Sequence, residues 1–176
     1  MADRTSLEAG GACSIARSLT VLGQRWTLLV VREALNGRTK FSEFQEALGV
    51  STDVLTQRLE SLVDAGVLEK RPYRERGARE RQAYHVTEAG WELVPVLAAL
   101  MSWGDKHLAD AAGPPALLRH RRTEQCVRVA LVDADDRPVA LEDVVTVAGP
   151  GASAHAGNDG GATGPDAPRR PDANRS

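Results

Sequence analysis

Lys70-Arg71-Pro72-Tyr73-Arg74-Glu75-Arg76-Gly77-Ala78-Arg79-Glu80-Arg81 carries six basic residues against two acidic ones. A strand-like run, Val67-Leu68-Glu69-Lys70, leads into it, and Ala83-Tyr84-His85-Val86-Thr87 leads out. Two short runs of this kind around a Gly-containing loop read as a β-hairpin. A basic loop standing alone is most often a solvated turn, so its meaning rests on its neighbours.

Upstream lie four helical patterns. Residues 14–22 read as a short helix capped by Ser14, with Ile15, Leu19 and Leu22 at helical spacing. Arg25 to Leu35 is apolar almost all round, which predicts a helix buried on most sides. Asn36-Gly37 stops it. Residues 41–48 place Phe41, Phe44 and Leu48 on one stripe, with Ser42-x-x-Gln45 as a capping box. Ser51 caps a helix over 52–65 that turns Leu55, Leu59 and Leu62 inward. The join between these last two is Gly49-Val50-Ser51, and two helices on so short a Gly-containing turn form a helix-turn-helix.

The basic hairpin follows directly, which makes the unit a winged helix-turn-helix. Thr87-x-x-Gly90 then opens a long amphipathic helix to about residue 111, broken or kinked in its first turn at Pro95. The fold class is mainly α with a small β wing. Residues 1–12 read as a flexible N-terminus and 13–111 as the winged unit. Cys126 to Val132 and Val139 to Val147 suggest strands, hence a small β-rich appendage over 117–148. The Gly-, Pro- and Ala-rich stretch 149–176 reads as a disordered tail.

A chain of 176 residues buries one real core. Its net charge of −2 does not advertise an anionic partner, but charge concentrated locally outweighs the total. No apolar run is long enough to span a bilayer and the N-terminus lacks a signal-peptide core, so a cytoplasmic, membrane-free protein is expected. Cys13 and Cys126 have no Cys or His at zinc-site spacing. Neither a metal nor a cofactor is expected. No nucleophile–base pair, phosphate loop or paired-carboxylate motif argues for an enzyme.

The pattern assigns roles if the partner is double-stranded DNA. An α-helix fits the major groove, and in a helix-turn-helix the start of the second helix meets the base edges. With Leu55 and Leu59 inward, Thr52, Asp53, Thr56 and Gln57 face outward. Gln pairs bidentately with adenine, and Thr offers a hydroxyl or a methyl. Asp53 suits a cytosine amine or the helix dipole. Arg58 reaches a phosphate or lies against a neighbouring helix. Arg74, Arg76, Arg79 and Arg81 on the wing would hold the backbone or the minor groove, giving affinity and salt dependence more than sequence choice.

A set of motifs also resembles a known family. They are Cys13; Gly23-x-Arg25-Trp26; Lys40-Phe41-Ser42-Glu43-Phe44; Ser51-x-x-x-Leu55-Thr56-Gln57-Arg58-Leu59; Tyr84-x-Val86-Thr87-x-x-Gly90; and Trp103-Gly104 with His107. Over about residues 13–110 the chain is similar to the HxlR-type winged helix-turn-helix regulators, a MarR-like fold. The resemblance implies a homodimeric bacterial or archaeal transcription factor, a repressor, paired through its first and last helices on an inverted-repeat operator. It adds Lys40 and Ser42 to the backbone contacts. It also implies that Cys13 senses oxidants or electrophiles, since a cysteine at this position does so in some relatives.

A helix N-terminus favours the Cys13 thiolate, and Arg17 lies one turn on. The opposing reading is a small packing cysteine. Trp26, Trp91 and Trp103 read as core or interface aromatics, or as walls of an effector pocket. Two departures stand out. The family wing usually bears a proline, whereas the tip here is Glu75-Arg76-Gly77-Ala78-Arg79. The segment after Pro114-Pro115 resembles an extension that carries paired cysteines in some relatives, and one thiolate cannot complete a tetrahedral site. The alternative function is a protein-binding module whose basic hairpin takes an acidic partner.

Overall fold

The structure is a computed structural model that describes residues 13–77, 79–108 and 112–149. The chain divides into two units, Met1–Val144 and Val145–Ser176. The expected flexible N-terminus, and the expected disordered tail beyond Gly149, lie outside the described residues.

Four helices come first: α1 Ser14–Leu22, α2 Thr27–Leu35, α3 Phe41–Leu48 and α4 Thr52–Asp64. Strands β1 Leu68–Tyr73 and β2 Arg81–Val86 pair antiparallel, from Leu68 opposite Val86 to Tyr73 opposite Arg81. Helices α5 Glu88–Trp91 and α6 Val94–His107 follow. Val30, Val31, Phe44, Leu55, Leu59 and Leu62 are fully buried in one cluster, with Leu68 all but so. Each such side chain contributes about 1.5–3 kcal/mol by leaving water. The core therefore sits where α2, α3, α4 and the base of the hairpin meet.

Three local expectations are corrected. Ser14 is the first residue of α1, and Cys13 takes the cap position without a side-chain hydrogen bond. The Ser14 hydroxyl instead accepts from Arg17 Nη2 at 3.1 Å. Helix α2 starts at Thr27 rather than Arg25, because Trp26 turns left-handed at φ 77°. That conformation is costly for a residue with a Cβ. Packing of the indole against the core, with the Arg25 guanidinium 5.2 Å from its ring centre, holds it there. The capping residue of α3 is Glu43, not the Ser42–Gln45 pair. Glu43 Oε2 accepts from the backbone N–H of Thr39 at 2.8 Å and of Lys40 at 3.0 Å.

The helix after the wing is broken as its proline predicts. Pro95 falls in the first turn of α6, where a missing N–H costs nothing, and a continuous α5–α6 helix would need that N–H. Gly90 meets the hairpin so closely that a Cβ there would lie 2.4 Å from Val67 O. The Thr87 hydroxyl lies 2.6 Å from Gly66 O and accepts from Gly90 N at 3.1 Å. The exit of the wing and the start of α5 are thereby tied to the end of α4.

Over residues 117–148 the β character takes the form of two one-residue bridges, Arg119–Cys126 and Val132–Pro138, with a 3-10 turn at Leu141–Asp143. Its valines and leucines stay largely exposed, which leaves little to extend the pairing.

Candidate nucleic-acid interface

Helix α4 presents its outer face because its inner face is pinned. Leu55, Leu59 and Leu62 are fully buried, and the spacing of an α-helix then turns Thr52, Asp53 and Gln57 to solvent. Thr56 is half-buried at the edge of that face. Ser51 caps the helix, its hydroxyl accepting from Val54 N at 3.4 Å. Asp53 lies in the first turn, where the helix dipole favours an acid. Gly49, at φ 61°, makes the turn that brings α3 and α4 together, a backbone conformation that favours glycine.

Gln45 on α3, expected only as half of a capping box, makes a different contact. Its Nε2 donates to Thr52 Oγ1 at 3.1 Å, so the two helices of the motif are joined at the start of the outward face. No spacing rule singles out this pair, since it depends on the angle between the helices.

Lys40 stands at the head of α3, and an isolated bridge pairs it with Ala83 of β2. Thr39 O accepts from Tyr84 N at 2.7 Å. This short third rung docks the wing onto the motif. The Lys40 ammonium does not project freely: its Nζ lies 2.6 Å from Glu75 Oε1 and 5.3 Å from the centre of the Tyr73 ring. The contact raises the Lys40 pKa, through the hydrogen bond to Glu75 first and its charge second. It lowers that of Glu75 for the same reasons. Glu43 is also held below the ordinary carboxylate range, by the two backbone N–H groups it accepts.

Arg74, Arg76, Arg79 and Arg81 are exposed on the hairpin, and none forms an ion pair with a described residue. Gly77 turns the tip at φ 79°. The hairpin does contain a proline, Pro72, but in β1 rather than at the tip, and an edge strand tolerates it. Ser42 and Arg81 share a cleft of about 430 Å³ between α3 and the wing with Gln45, Gln82 and Tyr73. Tyr84 closes its floor, packed edge-on against Phe44 at 6.4 Å, and burial raises its pKa. Arg58 differs from the wing arginines. It is half-buried, and its Nε is buried with no hydrogen-bond partner among the described residues.

Cys13 is exposed at the start of α1, and the Arg17 guanidinium is turned to Ser14 rather than to the thiol. Cys126 is exposed as well. Among the described residues no three His, Cys, Asp or Glu side chains gather as a metal site. No helix among them is long and apolar enough to cross a membrane. Trp26 packs on the core, whereas Trp91 and Trp103 are more than half exposed. The His107 ring lies 5.2 Å from that of Trp103.

This arrangement can be set beside known proteins. The HTH-type transcriptional regulator Rv3095 of Mycobacterium tuberculosis is 41% identical over 107 residues, 61% of this chain and 66% of Rv3095, so the chain spans just under two thirds of that relative. The HTH-type transcriptional regulator sll1512 of Synechocystis is 33% identical over 112 residues, 63% of this chain and 82% of its own. The crystal structure of PA1607, a candidate transcription factor, superposes with a TM-score of 0.68 at 34% identity, covering 77% of this chain and 94% of that one. That of PA1374 from Pseudomonas aeruginosa gives 0.57 at 39% identity, covering 78% and 93%. The HxlR-like helix-turn-helix family matches residues 21–112, more than half of the sequence. From its winged helix-turn-helix, its hairpin and this match, the chain belongs to the HxlR-like helix-turn-helix family.

Proposed function

We propose that the protein is a transcriptional regulator that binds double-stranded operator DNA as a homodimer in the cytoplasm. One observation carries the reading: the exposed start of α4 lies on the same unit as a hairpin whose four arginines have no ion-pair partner among the described residues. Thr52, Asp53, Thr56 and Gln57 read bases. Ser42, Arg74, Arg76, Arg79 and Arg81 hold the backbone, Lys40 joins them once a phosphate replaces Glu75 at its ammonium, and the Arg58 guanidinium joins them only at its outer nitrogens. The apolar residues left exposed on α1 and α6, Ile15, Leu19, Val96, Leu100 and Trp103, favour pairing through the first and last helices. A symmetric pair recognises an inverted repeat with half-sites about one turn, ~10 bp, apart.

Gel shifts on the upstream region of the protein's own gene test this. Gln57→Ala should relax preference at one base position by roughly 1–3 kcal/mol, and Arg76→Ala with Arg79→Ala should weaken all sequences alike. A protein that prefers no duplex as salt rises, and is indifferent to both changes, would instead suit the acidic-partner reading. In the regulator reading binding represses, and Cys13 or a small-molecule site relieves it. The exposed thiol at the start of α1 supports the cysteine route. Cys13→Ser should abolish a response to thiol oxidants; a wild-type response would remove Cys13 from the mechanism.

A further inference from the structure

An apolar cleft of about 340 Å³ lies between the end of α2, α6 and the segment that follows Pro115. Leu97, Ala98 and Met101 of α6 form its wall, and Leu117 and Leu118 its roof. These wall residues, with Val94, recur at helical spacing and so share one stripe. Val96, Leu100 and Trp103, offered above to a second copy, lie about half a turn away on α6. The cleft is thus not the surface that pairing through that stripe would cover.

The mouth is polar on one side only. Arg32 and Asn36 line it. Next to Arg32, the buried Glu33 carboxylate serves two guanidiniums: Arg32 Nη2 lies 2.6 Å from Oε1 and Arg38 Nη1 2.5 Å from Oε2. Arg38 also faces Glu43 and Glu46, away from the cleft, so Arg32 is the cation that borders the cleft itself. Arg32 Nε also points at Glu33, at 2.7 Å, so three donors remain for a ligand, both N–H groups of Nη1 and the second of Nη2. A site that is apolar within and carries a guanidinium with donors to spare at its edge suits an apolar body with a single anionic end.

We propose that this cleft binds a small apolar monocarboxylate, its chain against Leu97, Met101 and Leu118 and its carboxylate at Arg32. The volume has room for on the order of ten water-sized groups, which sets the size of the ligand. The proposal concerns binding alone and stands whether or not the α4 face reads DNA. The post-Pro115 segment gains a role in it as the roof.

Octanoate and its neutral counterpart octanamide, titrated calorimetrically into the full-length protein, test this. Octanoate is expected to bind saturably and about tenfold more tightly than octanamide, because a charge-assisted hydrogen bond exceeds a neutral one. Arg32→Gln is expected to erase that preference, weakening octanoate about tenfold more than octanamide. Leu118→Asp, on the roof and away from the buried core cluster, is expected to weaken both. The proposal is overturned if neither compound saturates, if the two bind equally, or if Arg32→Gln weakens both alike. It is also overturned if octanoate is excluded as protein concentration rises, since a second copy would then occupy the cleft.

Discussion

A methyl group on Gly90 has nowhere to go. It would meet Val67 O at 2.4 Å and Val86 Cγ1 at 2.7 Å, and a backbone oxygen cannot turn aside as a long side chain does. Gly90→Ala is expected to cost about 1–3 kcal/mol, read as a lowered melting temperature with the helical circular dichroism of the folded state retained. Glu43 makes a second prediction at this scale. Its carboxylate accepts two backbone N–H groups at the head of α3, which lowers its pKa. A lowered carboxylate pKa adds stability that is complete above the unfolded value and is lost as pH falls through the folded one. Glu43→Gln should therefore cost about 1 kcal/mol at neutral pH, the gap to wild type closing in acid melts. Here the sequence was legible only in part. Ser42-x-x-Gln45 and Lys40-x-x-Glu43 both fit the spacing of a box, and which residue starts the helix depends on Lys40 being held extended by its bridge to Ala83. The left-handed Trp26 was equally hidden, because it follows from tertiary packing of the ring.

At the scale of elements, α4 and the hairpin were readable because their patterns are local. The leucines of α4 recur at helical spacing, and the hairpin announces itself by its flanking strands and Gly77. What joins the hairpin to the head of α3 was not readable: the Lys40–Glu75 contact spans 35 residues, and its members look like unrelated charges in the chain. Its pH window follows from the two shifts. Glu75, lowered, gives up its share as pH falls below the ordinary carboxylate range through its folded value. Lys40, raised, gives up its share only as pH climbs past the ordinary lysine range. The wing is thus tied down across the neutral range. Carbon NMR titration of the Glu75 carboxyl should give a lower midpoint in wild type than in Lys40→Gln; equal midpoints would break the assignment. The four wing arginines keep no such partner among the described residues, which is the physical basis of the backbone role proposed for them.

For the whole molecule, the winged core was legible and its outer covering was not. Periodicity marks residues as apolar without saying what covers them. Ile15 stays 71% exposed and Trp103 57%, although both sit on stripes that resemble core faces. If these stripes meet in a homodimer, Trp103→Asp should shift the sedimenting species toward monomer and leave the fold intact. A variant that still sediments as wild type would place the pairing elsewhere. The interruption between α5 and α6 then acquires a geometric meaning. Thr87 and Gly90 fasten α5 to the helix-turn-helix, while α6 carries the stripe proposed for self-association, and only Glu92 and Leu93 separate the two helices. In a symmetric pair, the angle at that joint would set how far apart the two α4 faces proposed to read DNA stand. Pro95, by denying one backbone N–H, would act as a ruler for the operator, and straightening the joint would ask for DNA with its half-sites moved.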